Sequence, residues 1–153
     1  MISYSISYES ITDADIASLE ELFAACFRQS VSKNFPRLLR EKHHLMVMFA
    51  KDGDKAVGYK VGYSQHHHTF LSWLGGVHPE YQGKGIAKEL LHRQLKWCTE
   101  HEYVHVLTEV RNIWRPQLIL NLKEGFDVIG THLDPEDHTI VCMRKALRVH
   151  PTH

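Results

Sequence analysis

Residues Ile2–Tyr8 alternate apolar and polar side chains, the period-two signature of a half-buried strand. Thr12 then stands where an N-cap belongs, ahead of a helix predicted over Asp13–Phe27 with Ile16, Leu19, Leu22, Phe23 and Phe27 as its apolar stripe. The pattern breaks over Asn34–Arg37 at Pro36, and Leu38–His44 fits no single period. Leu45–Ala50, Lys55–Ser64 and Thr69–Val77 read as strands, with a turn at Lys51–Asp54 and a hairpin tip at Gln65–His68. An amphipathic helix runs to about His101, with Ile86, Leu90, Leu91, Leu95 and Cys98 inward. Val104–Val110 is the next strand. Pro116 suits the first turn of a further helix, which Gly125 ends. Phe126–His132 and Thr139–Lys145 form a last hairpin around Asp134-Pro135-Glu136-Asp137.

The strand–helix–strand passage predicts a right-handed crossover between parallel neighbours. The expected class is therefore α+β. It has a mixed, mostly antiparallel, twisted sheet of about seven strands, helices on both faces and a central β-α-β crossover. No repeat or linker interrupts the chain, so one domain is expected over residues 1–147, with a frayed polar tail at 148–153.

Charge changes the picture by exclusion. The 153 residues carry 18 Lys plus Arg and 18 Asp plus Glu, a formal net charge of zero, which argues against a nucleic-acid partner. Cys26, Cys98 and Cys142 are scattered and odd in number, as for reduced thiols in the cytoplasm. No export signal and no apolar run of membrane-spanning length is visible, so no membrane partner is expected.

The segment Tyr81-Gln82-Gly83-Lys84-Gly85-Ile86-Ala87 joins the fourth strand to the long helix. Two glycines at a helix mouth let bare N–H groups face outward, which suits a phosphate. A Walker loop needs a spacing that is absent here. A dinucleotide fingerprint needs Gly or Ala where Lys88 stands. A pyrophosphate loop of the Gln-x-x-Gly-x-Ala kind is left.

Val77-His78-Pro79-Glu80-Tyr81-Gln82-Gly83-Lys84-Gly85-Ile86-Ala87 resembles the acetyl-coenzyme A motif of the GNAT superfamily of N-acetyltransferases. Asn121-Leu122-Lys123-Glu124-Gly125-Phe126 resembles that family's later helix and closing Gly-Phe, and the element order matches from about Ile2 to Lys145. The resemblance implies an acetyl-CoA-dependent transferase with no metal. Main-chain amides of Gln82, Gly83, Lys84, Gly85, Ile86 and Ala87 would hold the pyrophosphate. Gly75, Gly76 and Val77 would pair with the pantetheine arm, the double glycine suggesting a bulge. The Val77 amide would meet the thioester oxygen. The acceptor would be a primary amine on a small molecule or peptide, and a homodimer is expected by analogy.

A lysine amine with a pKa of about 10.4 is neutral in roughly one molecule of 2,500 at pH 7, a handicap of about 4.6 kcal/mol. A proton acceptor is therefore wanted, and Glu109 on the fifth strand is the first candidate. The family's usual acid, a Tyr four residues before the Gly of Gly-Phe, is replaced by Asn121, read here as a coenzyme contact. Asn112 is read either as a second such contact on a shifted loop or as a turn residue. His66-His67-His68 cannot all point to one ion from a strand, and is read as a polar loop; His68 is a secondary candidate base. Trp114 is the tryptophan best placed to touch substrate. The missing tyrosine also motivates a rival reading, an inert acyl-CoA-binding sensor or interaction module.

Overall fold

The computed structural model describes residues 1–147, and the expected frayed tail lies outside them. Strands β1 (Ile2–Tyr8), β2 (Met46–Asp52), β3 (Lys55–His66), β4 (Thr69–Val77), β5 (His105–Arg111), β6 (Asp127–Leu133) and β7 (Thr139–Ala146) form one mixed sheet. Its order is β1-β2-β3-β4-β5-β7-β6. The helices are α1 (Asp13–Phe27), α2 (Phe35–Glu41), α3 (Ile86–Glu100) and α4 (Arg115–Lys123). β4 and β5 pair in parallel, and β1–β2, β2–β3, β5–β7 and β6–β7 are antiparallel.

One compact unit comprises Met1–Ser64 and Trp73–Gln94. Five consecutive residues of β2, Met46–Ala50, are buried, where a strand with one wet face would alternate. Both faces of β2 are covered. Val47 and Phe49 cluster with Ile16, Leu19 and Leu22 of α1 and with Phe35 and Leu39 of α2. On the other face Gln94 of α3 reaches Met46 Sδ at 3.8 Å. A side chain at Gly58 would meet Ile86 Cγ2 at 3.2 Å and Leu90 Cδ1 at 3.3 Å. Gly58 is thus what lets α3 lie directly on the strand backbone.

α1 starts in a capping box. Thr12 Oγ1 accepts from the Asp15 amide, and Asp15 Oδ2 accepts from the Thr12 amide, both at 3.1 Å. Here Asp does the work usually given to Glu or Gln. The expected break at Pro36 is corrected: Pro36 lies in the first turn of α2, where an N–H has no intrahelical partner to lose. β3 also runs to His66, which narrows the predicted tip to His67-His68, with His68 at φ 70°.

The other unit comprises Gln65–Ser72 and the described chain from Leu95. Phe70 is fully buried, with ring centroids 5.6 Å from Trp97 and 5.2 Å from Tyr103. The β4–β5 ladder spans Thr69–Ser72 against His105–Thr108, and Thr108 Oγ1 donates to the Ser72 carbonyl at 3.0 Å. Gly125, at φ +92°, ends α4 as predicted, and the Phe126 amide returns to the Asn121 carbonyl.

Tyr59 packs in the first unit with its hydroxyl buried and without a hydrogen-bond partner among the described residues. Burial, and secondarily Cys26, hold the phenol's pKa far above its ordinary value. An unpaired buried hydroxyl is a cost without return, so Tyr59→Phe is expected to raise stability by about 1 kcal/mol. Urea unfolding should show a higher midpoint at unchanged slope. A lower midpoint would show that the hydroxyl has a partner, such as an internal water.

Candidate active site

The approach to α3 is pinned on several sides. The His78 amide donates to the Val57 carbonyl at 2.8 Å, a 3₁₀ turn covers Pro79–Tyr81, and the Tyr81 hydroxyl donates to Asp52 Oδ2 at 2.7 Å. That bond, first of several causes, raises the Tyr81 pKa. Gly83 (φ +77°) and Gly85 (φ +79°) then take the left-handed conformation, which most side chains resist. A Cβ at either would meet nothing within 4 Å, so the space in front of the turn is open.

The first internal acceptor of α3 is the Gly85 carbonyl, which takes the Glu89 amide at 3.0 Å. Among the described residues, the main-chain N–H groups of Gly83, Lys84, Gly85, Ile86, Ala87 and Lys88 donate to no protein acceptor. Six contiguous donors at a helix start, reinforced by the helix dipole, form a cradle for an anion with several oxygens. The run begins one residue later than the sequence suggests. The Gln82 amide is directed to the Pro79 carbonyl at 3.4 Å, while Gln82 Nε2 donates to the Val77 carbonyl at 3.2 Å. Lys84 Nζ sits 5.1 Å from the Tyr81 ring centroid, beside the cradle.

The same unit orients the end of β4. Because the His78 amide points to β3, strand alternation turns the Val77 N–H to the opposite edge. The two glycines before Val77 have a packing reason. A Cβ at Gly76 would lie 3.0 Å from both Cys26 Sγ and Tyr59 Cε1, whereas one at Gly75 would make only ordinary contacts, the nearest being Lys60 Nζ at 3.5 Å. Gly76 therefore lets Tyr59 and Cys26 close against bare backbone, and burial pushes the Cys26 thiol up to about 11.

The second unit carries the other expected residues. Glu109 is exposed, and its Oε2 lies 3.6 Å from His132 Nε2. Cys142 stands directly across from Glu109 in the β5–β7 register. Asn112 follows β5 with its backbone fixed: its amide donates to the Thr139 carbonyl at 2.9 Å, and its carbonyl accepts from Arg115. Trp114 N-caps α4 and is partly exposed, with the Arg111 guanidinium 5.0 Å from its ring centroid. Asn121 is 2% exposed, its Oδ1 accepting from Gln117 at 2.9 Å and its Nδ2 reaching Met143 Sδ at 3.8 Å. The side chain is packed under α4 against Gln117 and Met143, and its reading as a coenzyme contact is put to the test below. His66 ends β3 and His67-His68 form the β3–β4 tip, where the His68 carbonyl accepts from the Val104 and His105 amides.

His132 and Cys142 escaped the sequence reading. Neither has a neighbour in the chain to mark it, and both reach Glu109 only through strand register.

These features carry a family assignment. The Acetyltransferase (GNAT) family model matches residues 16–115, more than half of the chain, and the chain belongs to that family. Solved structures agree on the fold. The ribosomal-protein-S18-alanine N-acetyltransferase of Escherichia coli superposes with a TM-score of 0.82 at 15% identity, covering 97% of both chains. Ard1 of Thermoplasma volcanium gives 0.79 at 18%, covering 95% of this chain and 99% of its own. YncA of Salmonella typhimurium, a structure holding acetyl-CoA, gives 0.73 at 18%, covering 99% and 98%. No curated protein sequence matches the chain.

Asn121→Ala is expected to lower stability by about 1–3 kcal/mol, because it strands the Gln117 amide and opens a small void. Acetyl-CoA affinity at a temperature where the variant is folded should stay within about twofold. A large affinity loss without a stability loss would restore the coenzyme-contact reading.

Proposed function

We propose that this chain is an N-acetyltransferase that moves the acetyl group of acetyl-CoA onto a primary amine by direct attack, with no covalent enzyme intermediate. The observation that carries this reading is the run of six unpartnered N–H groups from Gly83 to Lys88 behind two left-handed glycines. Its shape suits a pyrophosphate, and the family is one of acetyltransferases. When bound, acetyl-CoA would supply an activated thioester.

The chain's own groups would do the rest. Gly83–Lys88 bind and orient the diphosphate, with Lys84 adding a nearby positive charge. The edge at Gly75–Val77 orients the pantetheine arm, and the Val77 N–H stabilises negative charge developing on the thioester oxygen. Gln82, holding the Val77 carbonyl, steadies Val77 from the peptide that follows it. Glu109 takes a proton from the acceptor's ammonium, directly or through water, and so frees the amine to attack. With Asn121 packed away, water supplies the proton to the departing thiolate, which is a tolerable leaving group because a free thiol has a pKa of about 8.5.

The acceptor is an amine of a peptide or a small molecule. The name of the E. coli S18-alanine enzyme supports the peptide class. An α-amino group, with a pKa near 8, also asks less of the base than a lysine does. A cytoplasmic location is part of the same proposal, supported by three cysteines that form no disulfide. No helix among the described residues is long and apolar enough to cross a membrane. One observation favours the rival reading of an inert acyl-CoA-binding module: no tyrosine hydroxyl stands at position 121. Steady thiol release with any amine from a panel would reject that module.

Gly85→Asp places a carboxylate and a disfavoured side chain in the cradle, and calorimetry should show acetyl-CoA binding abolished. Retained affinity would contradict the diphosphate placement. Glu109→Gln should reduce turnover more at pH 6.5 than at pH 9, because the neutral fraction of the amine grows as pH rises and the need for a base falls. An equal loss at both would leave Glu109 a structural role.

A further inference from the structure

Three acceptor atoms converge on one face of β5, β7 and β6. One carboxylate oxygen of Glu109, one ring nitrogen of His132 and Cys142 Sγ all lie within 4.8 Å of one another. The register explains why. Glu109 pairs with Cys142 across β5–β7, and Cys142 pairs with Gly130 across β7–β6. His132, two residues beyond Gly130, projects from the same face and reaches the pair diagonally. Gly130 has no side chain, and a Cβ there would meet nothing within 4 Å, so the ground beside Cys142 stays open.

The imidazole is turned for ligation. Its Nδ1 lies 3.4 Å from the Leu133 carbonyl, which accepts from it in the tautomer with the proton on Nδ1. In the neutral ring that puts the lone pair on Nε2, the nitrogen facing Glu109. A lone pair and a carboxylate at 3.6 Å repel unless something positive lies between them. A proton on Nε2 is one such occupant. A metal ion is the other, and the sulfur nearby selects among metals.

We propose that Glu109, His132 and Cys142 form a three-ligand site for a borderline-soft divalent cation, Zn²⁺ foremost. Nitrogen, thiolate and carboxylate are the ligand types zinc takes, at about 2.0–2.3 Å each. In a tetrahedral site that spacing puts ligand atoms roughly 3.3–3.8 Å apart, so the cluster needs to contract by no more than about 1.5 Å, within reach of small side-chain rotations. The fourth position goes to water. On binding, the Cys142 S–H bond breaks, a sulfur–metal bond forms and the proton passes to buffer. The half-exposed His132 and Glu109 side chains, 49% and 57% accessible, leave an entry path. If the Glu109 reading above is right, a bound zinc also withholds the base and stops acetyl transfer; the metal site itself does not rest on that reading.

Cobalt(II) is the probe, since its thiolate complexes absorb in the near ultraviolet. Titration of the full chain should give a sulfur-to-cobalt charge-transfer band that saturates at one equivalent and is bleached by added Zn²⁺. Cys142→Ser should remove the band. His132→Gln should weaken cobalt binding by more than the roughly tenfold that loss of an outer contact costs. Calorimetry should find acetyl-CoA affinity unchanged by zinc, so failure of the metal site and failure of the coenzyme cradle read out separately. No band at millimolar cobalt would overturn the proposal, with a proton on His132 as the sole occupant. So would a band that survives Cys142→Ser, which would place the metal on Cys26 or Cys98.

Discussion

A helix cannot satisfy its own first amides, and in this chain the surroundings do not satisfy them either. Where α1 closes its first turn with Thr12 and Asp15, α3 opens with the amides of Gly83–Lys88, which no acceptor among the described residues receives. The difference lies in the residue types. A capping side chain at the mouth of α3 would consume the donors, and glycines in left-handed conformation at 83 and 85 keep them bare. Around this opening the structure is tightly specified. Val57, Asp52 and Pro79 hold the lead-in, and Gly58 lets Ile86 and Leu90 seat the helix on β3. Rigid surroundings and unpaired polar groups together are what an anion site requires, because donors fixed in advance lose little freedom when the ligand arrives.

The architecture was largely legible because most elements have short-range signatures. Alternation marked β1, glycine and proline marked the ends of α4, and the apolar period marked α1 and α3. The failures are where local rules compete. Pro36 is a breaker inside a helix and a starter in its first turn, and only the cluster that buries Phe35 and Leu39 selects the second role. The tip beyond β3 is narrower than the sequence suggests, because His66 carries no strand signal of its own.

The candidate site divides the same way. The cradle is contiguous in the chain, so its glycines announced it. The setting of Asn121 is not legible, because a position four residues before a cap says nothing about which way the side chain turns; the sulfur of Met143 and the amide of Gln117 decide that. His132 and Cys142 lie 23 and 33 residues after Glu109 and meet it only through two ladders, one of which contains a register shift between Val128 and Gly130. No single-sequence argument counts across such a shift.

Two continuous elements change allegiance within this chain. β4 belongs to one unit through Ser72 and to the other from Trp73, and α3 changes over between Gln94 and Leu95. Each compact half is therefore stitched from separate stretches, and no single backbone cut liberates either. A split-protein reporter or a minimal fragment built on one half would inherit a severed strand and a truncated helix. Engineering of this scaffold must graft surfaces and loops rather than exchange halves.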